Sequence, residues 1–344
     1  MVRRGAVVRL LTIGIVTAIL VTLVAVLIPW LPTSASEEMD RITFVYWFAT
    51  IICIGIFALV VAVVLYSVWA FRAQPEDDTD GPPIHGHTGL EIVWTVIPAV
   101  LVIAIGVVSA VVMSQNADAG RDPLTVKVFA QQFAWRFQYP AQGDLRSNEL
   151  VLPLGRNVRF ELESADVIHS LWIPEMGQKQ DVVPGVQTKI VITPTRTGRF
   201  TLVCTELCGL GHSTMRAPVR VLRPAAWEAW VREHGQQAGG GQGGGNGAAA
   251  ADGAEVFATA GCGGCHAFAP AGSDGQIGPG LDDVAASARA AGQEPAEYVR
   301  TSIVDPDTRL APGYAAGVMP KTFGESLTSQ EIDALVAYLT DGEG

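Results

Sequence analysis

Three stretches of the chain are almost free of polar positions. Residues 10–31 run apolar behind Arg3, Arg4 and Arg9, residues 43–71 carry no charge, and neither does the run from Ile92 to Met113. Each is long enough to cross a hydrocarbon core of about 30 Å as a helix. Trp47, Trp69 and Trp94 stand near the ends, where an amphipathic ring favours the membrane interface. Basic residues, an apolar run and the small-residue tail Thr33-Ser34-Ala35-Ser36 make residues 1–36 either a signal peptide or an N-terminal transmembrane segment. Residues 37–118 read as a transmembrane helical hairpin. With Arg3, Arg4 and Arg9 inside, the loop Arg72–Glu91 is also inside, and everything after about residue 115 lies outside.

Past residue 118 the period shortens. Thr125–Phe129, Phe133–Tyr139, Asn157–Leu162, Thr188–Ile192 and Arg199–Val203 are β-rich runs separated by turn residues such as Pro184-Gly185. Strands this short and this closely spaced predict an antiparallel β-sandwich over 119–234, closed by a short helix at Ala225–Glu233. Residues 235–250 read as a Gly-rich linker, a flexible tether reaching roughly 20–27 Å. The remainder, 251–344, predicts a small helical module. Its final helix is marked by Ile332, Leu335, Val336 and Leu339 on one face.

Composition agrees with a chain that is partly solvated by lipid. Hydrophobic residues make up 49%, charged residues 17%, and mean hydropathy is +0.30, which excludes a wholly soluble enzyme and a disordered protein. The net charge of −11 is local. Residues 250–344 hold 14 Asp/Glu against 4 Lys/Arg, so the rest of the chain is nearly neutral. No basic footprint for nucleic acid exists.

The five cysteines are too few and too unevenly spaced for a disulfide scaffold. Cys262-Gly-Gly-Cys265-His266 has the spacing of covalent c-type haem attachment, two thiols for the vinyl groups and an imidazole for the iron. A redox dithiol wants a βαβ context, and a zinc site wants further Cys or His, which do not follow. By elimination the sixth ligand is Met319, with Lys321 a weak competitor; His/Met ligation suits electron transfer. With Ile277-Gly-Pro279-Gly-Leu281 and Met319-Pro320 before a closing helix, the module resembles class I cytochromes c. The likeness implies that Pro279 helps position His266.

The second constellation is Cys204, Glu206, Cys208, His212 and Met215 on one loop, with His169 upstream in Asp166-Val-Ile-His. A single thiolate with two imidazoles and a Met would describe a blue-copper site. A second thiolate four residues away can bridge two metals, with one imidazole at each end. A Cys204–Cys208 disulfide and a Cys₂His₂ zinc site are the competing readings.

Residues 40–223 resemble subunit II of the haem-copper cytochrome c oxidases. The likeness is carried by Leu90-Glu-Ile-Val-Trp-Thr-Val-Ile-Pro98, Gln132-Phe-Ala-Trp135, Asp166–His169, Asp181-Val-Val-Pro-Gly185 and the Cys204–Met215 loop. With the tethered haem module, the architecture resembles the caa₃-type oxidases. The resemblance implies a membrane helical hairpin, a cupredoxin-like antiparallel β-sandwich and a small all-α cytochrome c domain. It implies two copper ions of the CuA centre on His169, Cys204, Cys208, His212, Met215 and the backbone carbonyl of Glu206. Mg²⁺ shared with subunit I would take the Glu206 carboxylate, and Glu91 would lie near the mouth of a proton path.

Where the family commonly has Gln-Trp-x-Trp, this chain has Gln132-Phe133-Ala134-Trp135. The replaced tryptophan is usually tied to electron transfer from soluble cytochrome c, so a donor built into the chain explains the change. A tether of this length keeps the haem module at roughly millimolar effective concentration. The resemblance therefore implies a plasma-membrane oxidase subunit that passes electrons from cytochrome c or a bc complex through haem c and CuA to haem a of subunit I, with subunit III a further partner. Oxygen is reduced to water there, and protons are pumped. The copper subunit of a nitric oxide reductase is the alternative from the same class, and a copper carrier or assembly protein the one from another. His85, His87 and Cys53 carry no assigned role.

Overall fold

The computed structural model describes residues 4–72, 83, 85–239 and 253–341. The core of the tether, 240–250, and most of the inner loop, 73–82 and 84, lie outside the described residues. The contact pattern divides the chain into two units, one of helices and one that holds the sandwich and the C-terminal module.

The first unit contains α1 (Arg4–Leu27) and most of α2 (Glu37–Ala70), with α3 (Thr88–Asn116). All three helices are long and apolar enough to cross a membrane. Gly14 of α1 lets Ala62 of α2 come within 3.6 Å of where a Cβ would sit, and the Arg9 guanidinium lies 4.6 Å over the Trp69 ring. Helix α3 starts on a built cap. The His87 ring accepts from the Leu90 N–H, and the Glu91 carboxylate accepts from the His87 N–H at 3.0 Å.

The second unit is built on a sandwich of two five-stranded sheets. The strands are β1 (Leu124–Gln131), β2 (Ala134–Tyr139), β3 (Leu145–Ser147), β4 (Leu150–Pro153), β5 (Val158–Ser164), β6 (His169–Trp172), β7 (Lys179–Val182), β8 (Thr188–Ile192), β9 (Gly198–Cys204) and β10 (Arg216–Leu222). One sheet is ordered β3-β2-β1-β5-β8 and the other β4-β10-β9-β6-β7. Alternation drives the fold: Val126, Val128, Phe160 and Leu162 point inward and are fully shielded. Tyr139 ties the sheets together, its hydroxyl donating to the Val151 carbonyl at 3.0 Å and accepting from the Val151 N–H at 2.8 Å.

The sandwich is mostly antiparallel, but β1 pairs with β5 and β4 with β10 in parallel. Between β1 and β5 the chain crosses to the opposite sheet to form β4, and that crossing sets the direction of return. β10 holds Pro218 despite its place inside a sheet. Its β4 partner covers only Val219–Leu222, so Pro218 sits where one side of the strand is open.

Helix α4 (Pro224–Gly239) runs on to Gly239, into the stretch expected to be linker, because Gln236, Gln237 and Ala238 favour helix. The C-terminal module follows as α5 (Gly253–Thr259), the ribbon β11 (His266–Phe268) and β12 (Ser273–Gln276), then α6 (Val284–Ala290), α7 (Pro295–Val304), α8 (Phe323–Ser326) and α9 (Ser329–Asp341). The module is helical as expected, with one short two-stranded ribbon added to the helices. Gly272 at φ +62° turns the chain back just after the attachment motif, so His266 pairs with Gln276. Phe257, Phe268, Val299, Leu335 and Leu339 form the core of this module.

Candidate metal centres

The first centre sits where β9 ends and the loop to β10 turns beneath β6. Leu171 of β6 pairs with Cys204 of β9, which brings His169 to the thiols from far upstream in sequence. Cys204 and Cys208 are both free, with their sulfurs 3.9 Å apart, well beyond the ~2.05 Å of a disulfide bond. His169 Nδ1 stands 3.9 Å from Cys204 Sγ, and His212 Nδ1 3.6 Å from Cys208 Sγ. Met215 Sδ lies 3.7 Å from Cys208 Sγ, and the Glu206 carbonyl oxygen 3.3 Å from Cys204 Sγ. Ligand atoms of His169, Cys204 and Cys208 all fall within 4.8 Å of one another.

The imidazole at one end is held in a fixed tautomer. A carboxylate only accepts, so His169 Nε2 donates to Asp166 Oδ1 at 2.8 Å and leaves Nδ1 free on the thiol side. Burial opposes the charged form of His169, but Asp166 and Cys204 outweigh it and raise its pKa. Asp166 is likewise buried, and hydrogen bonds from His169, Gln132 and Val167 hold its carboxyl below the usual range. Burial pushes both thiols up. For Cys204 the hydrogen bonds at His169, Ser170 and Glu206 reverse this and bring it down to about 6. For Cys208 the neighbouring Cys204 charge adds to burial and takes it to about 12. One thiolate forms readily, and a cation is needed to bring the second beside it. Soft sulfur with imidazole is a donor set that fits copper.

The second centre is a cavity of about 230 Å³ in the C-terminal module, lined by Cys262, Cys265, His266, Met319, Phe323 and Leu335. His266 Nδ1 donates to the Pro279 carbonyl at 2.7 Å, which leaves Nε2 as the ligating lone pair. Burial lowers the His266 pKa and favours the neutral ring. A Cβ on Gly278 would come within 2.4 Å of His266 Cε1, so only glycine lets the backbone pass the imidazole. Burial lifts Cys262 to about 12 and raises Cys265 as well, so both are neutral thiols. A mostly apolar cavity holding two thiols, a fixed imidazole and a thioether fits a covalent haem. Lys321, the weak competitor for the iron, is instead paired with Asp307 at 2.5 Å.

The remaining residues singled out in the sequence fall as follows. Phe133 is buried against the Cys204–Met215 loop, its ring filling the space that side chains at Gly209 and Gly211 would need. Trp135 is buried with its ring 6.1 Å from that of His169. The Glu206 carboxylate is exposed, and Glu91 is exposed at the start of α3 in the cap described above. Sequence reasoning missed two groups. The motif Asp166-Val-Ile-His169 does not by itself assign Asp166 a role, though a carboxylate three residues before a ligating histidine is the available signal. Gln132, in the turn between β1 and β2, donates through Nε2 to the Cys208 carbonyl at 2.5 Å and also reaches the rim of the 230 Å³ cavity. No sequence pattern announces that contact.

Comparison with known proteins places these features together. A family model described as cytochrome c oxidase subunit II, periplasmic domain, matches residues 144–222, and one for its transmembrane domain matches 23–112. A cytochrome c model matches residues 250–342. Cytochrome c oxidase subunit 2 of Alkalihalophilus pseudofirmus is 31% identical over 299 residues, covering 84% of this chain and 84% of that protein. The protein of the same name from Bacillus subtilis is 29% identical over 334 residues, covering 90% and 91%. That from Synechocystis is 32% identical over 248 residues, covering 58% of this chain and 74% of that protein.

Proposed function

This chain belongs to the cytochrome c oxidase subunit II family, carrying a cytochrome c domain at its C-terminal side, and on that premise we propose which of its residues hold the redox groups. It is the electron-receiving subunit of a haem-copper oxidase, with helices in the membrane and the sandwich and cytochrome domains on the outer side. His169, Cys204, Cys208, His212, Met215 and the Glu206 carbonyl hold the copper pair of CuA. Cys262 and Cys265 would attach haem c, and His266 and Met319 would hold its iron. When bound, the copper pair and the haem supply one-electron redox chemistry.

The observation that carries the copper assignment is the pair of free thiols 3.9 Å apart with an imidazole at each end. Cys204 and Cys208 would offer two sulfurs to the metal pair, and Asp166 keeps His169 in the ligating tautomer. Gln132 and Phe133 join the two centres. They line the haem cavity on one side and touch Cys208, Gly209 and Gly211 on the other. Electrons arriving at the cytochrome domain thus have a packed route into the copper loop, and Phe133 stands on it in the place of the family's tryptophan.

Leu207 and Leu210 are 79% and 72% exposed on that loop, and Ile168, next to His169, is exposed as well. Large apolar side chains around a redox centre favour a protein partner, and we assign this rim to subunit I. The Glu206 carboxylate, a hard oxygen donor on the same rim, is the proposed contribution to Mg²⁺ at that boundary. Subunit III, and cytochrome c or a bc complex as donor, complete the proposed set. The acidic cytochrome domain suits a basic donor steered by charge. Glu91 is the proposed carboxylate near proton uptake, held by its bond to the His87 N–H. The relatives compared are all named as oxidase subunits, so the nitric oxide reductase and copper-carrier readings are not favoured.

Replacing one thiol tests the assignment. Cys204→Ser should abolish the mixed-valent spectrum and reduce the copper content, while covalent haem c remains. A variant that kept the paired-copper spectrum would refute the assignment of Cys204 as a copper ligand.

A further inference from the structure

We propose that Gln131, Ala134 and Arg136 form a seat on which the C-terminal module docks, and that this seat sets the rate of electron passage from haem to copper. The rate, though not the seat, rests on the haem c and CuA reading. The seat lies where β1 ends and β2 begins, with α5 packed against β2. Gln131 is 2% exposed and has a partner on each side of the junction. Its Oε1 accepts from Arg136 Nη2 at 2.9 Å, and its Nε2 donates to the Ala260 carbonyl at 3.4 Å. The next residue, Gly261, has φ +75°, and a Cβ there would overlap the Ala134 methyl. A backbone this close to the sandwich marks a built contact.

Charge favours the same pairing. Residues 119–223 hold 13 Lys/Arg against 9 Asp/Glu, opposite in sign to the acidic module. Burial lowers the Arg136 pKa, and the Glu331 carboxylate of α9 opposes that shift from across the junction. Glu331 is fixed at the head of α9, where its Oε2 accepts from the Thr328 N–H and hydroxyl, each at 2.8 Å. Beside the contact, Arg216 of β10 lines a cleft of about 480 Å³ together with Phe257 and Tyr338 of the module. A buried amide that bridges two domains is costly to leave half-satisfied, and opposite charges around it guide the approach. Gln131 adjoins Gln132 and Phe133, so docking here sets the haem cavity against the copper loop.

The test uses the full-length holoprotein as wild type, Gln131→Glu, Arg136→Gln and Glu331→Gln, and reads two quantities. Hydrogen exchange over residues 253–264 reports docking whatever the metal content. Flash reduction of the haem times the passage of one electron from ferrous haem to the oxidised copper pair. Gln131→Glu still accepts from Arg136 but turns a carboxylate toward the Ala260 carbonyl. It should hasten exchange and slow transfer about tenfold. Arg136→Gln should slow transfer about fivefold and flatten the fall of the wild-type rate with added salt. Glu331→Gln keeps the helix cap and loses the charge, so it should flatten that fall equally. Should Gln131→Glu fail to fold, flattened salt slopes in the other two variants support the seat, and wild-type slopes overturn it. Unchanged exchange and transfer in Gln131→Glu, with both metal spectra intact, overturn the proposal alone. Faster exchange in Gln131→Glu, in a chain found to bind no copper pair, sustains the seat and overturns the copper reading.

Discussion

Removing the Asp166 carboxylate should weaken copper binding without removing a single copper ligand. His169 is fully shielded, and its Nε2 donates to Asp166 at 2.8 Å. Asp166 also accepts from the Gln132 N–H and the Val167 N–H, each at 2.7 Å. Asp166→Asn keeps the shape but loses the charge, and its amide must turn one donor toward another. Loss of a partner behind a ligating histidine costs about 10–100-fold in metal affinity, or roughly 1.4–2.8 kcal/mol at 1.4 kcal/mol per tenfold.

The pH dependence has a definite sign. Asp166 is held below its usual pKa, so its contribution to the metal-free fold is present above about pH 4 and lost as pH falls through the depressed value. His169 is raised, so its contribution is complete below about pH 6.5 and lost as pH rises through the raised value. Copper takes the imidazole neutral, so loading of wild type weakens as pH falls through that raised value. Without the carboxylate the His169 pKa drops, and the midpoint of loading in Asp166→Asn moves to lower pH. The assay is chelator competition followed in the visible spectrum across a pH series. Affinity within twofold of wild type and an unmoved midpoint, in a folded variant, would refute the role given to Asp166.

Phe133→Leu removes the ring that packs on Gly209 and Gly211 and should leave both metal spectra intact. Stopped-flow reduction should then show slower passage from haem to copper, and an unchanged rate would count against the route. Gly278→Ala drives a methyl to within 2.4 Å of the His266 ring; overpacking of this kind costs about 1–3 kcal/mol, so pyridine haemochrome analysis should find less haem per chain. Asp307 is held below its ordinary pKa by Lys321 and the Gly317 N–H, so its clamp on the Met319 loop holds above about pH 4 and releases as pH falls through the depressed value. Acid titration of the Met-ligation band should therefore show a transition in wild type that Asp307→Asn lacks.

The copper loop was legible because its donors are contiguous, Cys204 to Met215, and because one motif carries His169. The attachment motif and Met319 were legible for the same local reason. What escaped depends on register and on contacts far apart in sequence. Asp166 acts through a bond set by the turn into β6, and Gln132 reaches Cys208 across 76 positions. The part of Pro279 beside His266 was legible through the likeness to class I cytochromes c, and its carbonyl is the atom that meets the ring. β3, β4, β6 and β7 are three or four residues long, too short to express a period, and Pro218 disguises β10. The long apolar helices were plain because a span of that length has few other uses.

Copper content and the near-infrared spectrum of the holoprotein, taken together, bear most directly on the paired thiolates. The expected result is two copper ions per chain in a delocalised mixed-valent state, with Cys204 and Cys208 both unoxidised. A single copper or zinc ion, or a Cys204–Cys208 disulfide in the protein that turns over, would contradict it.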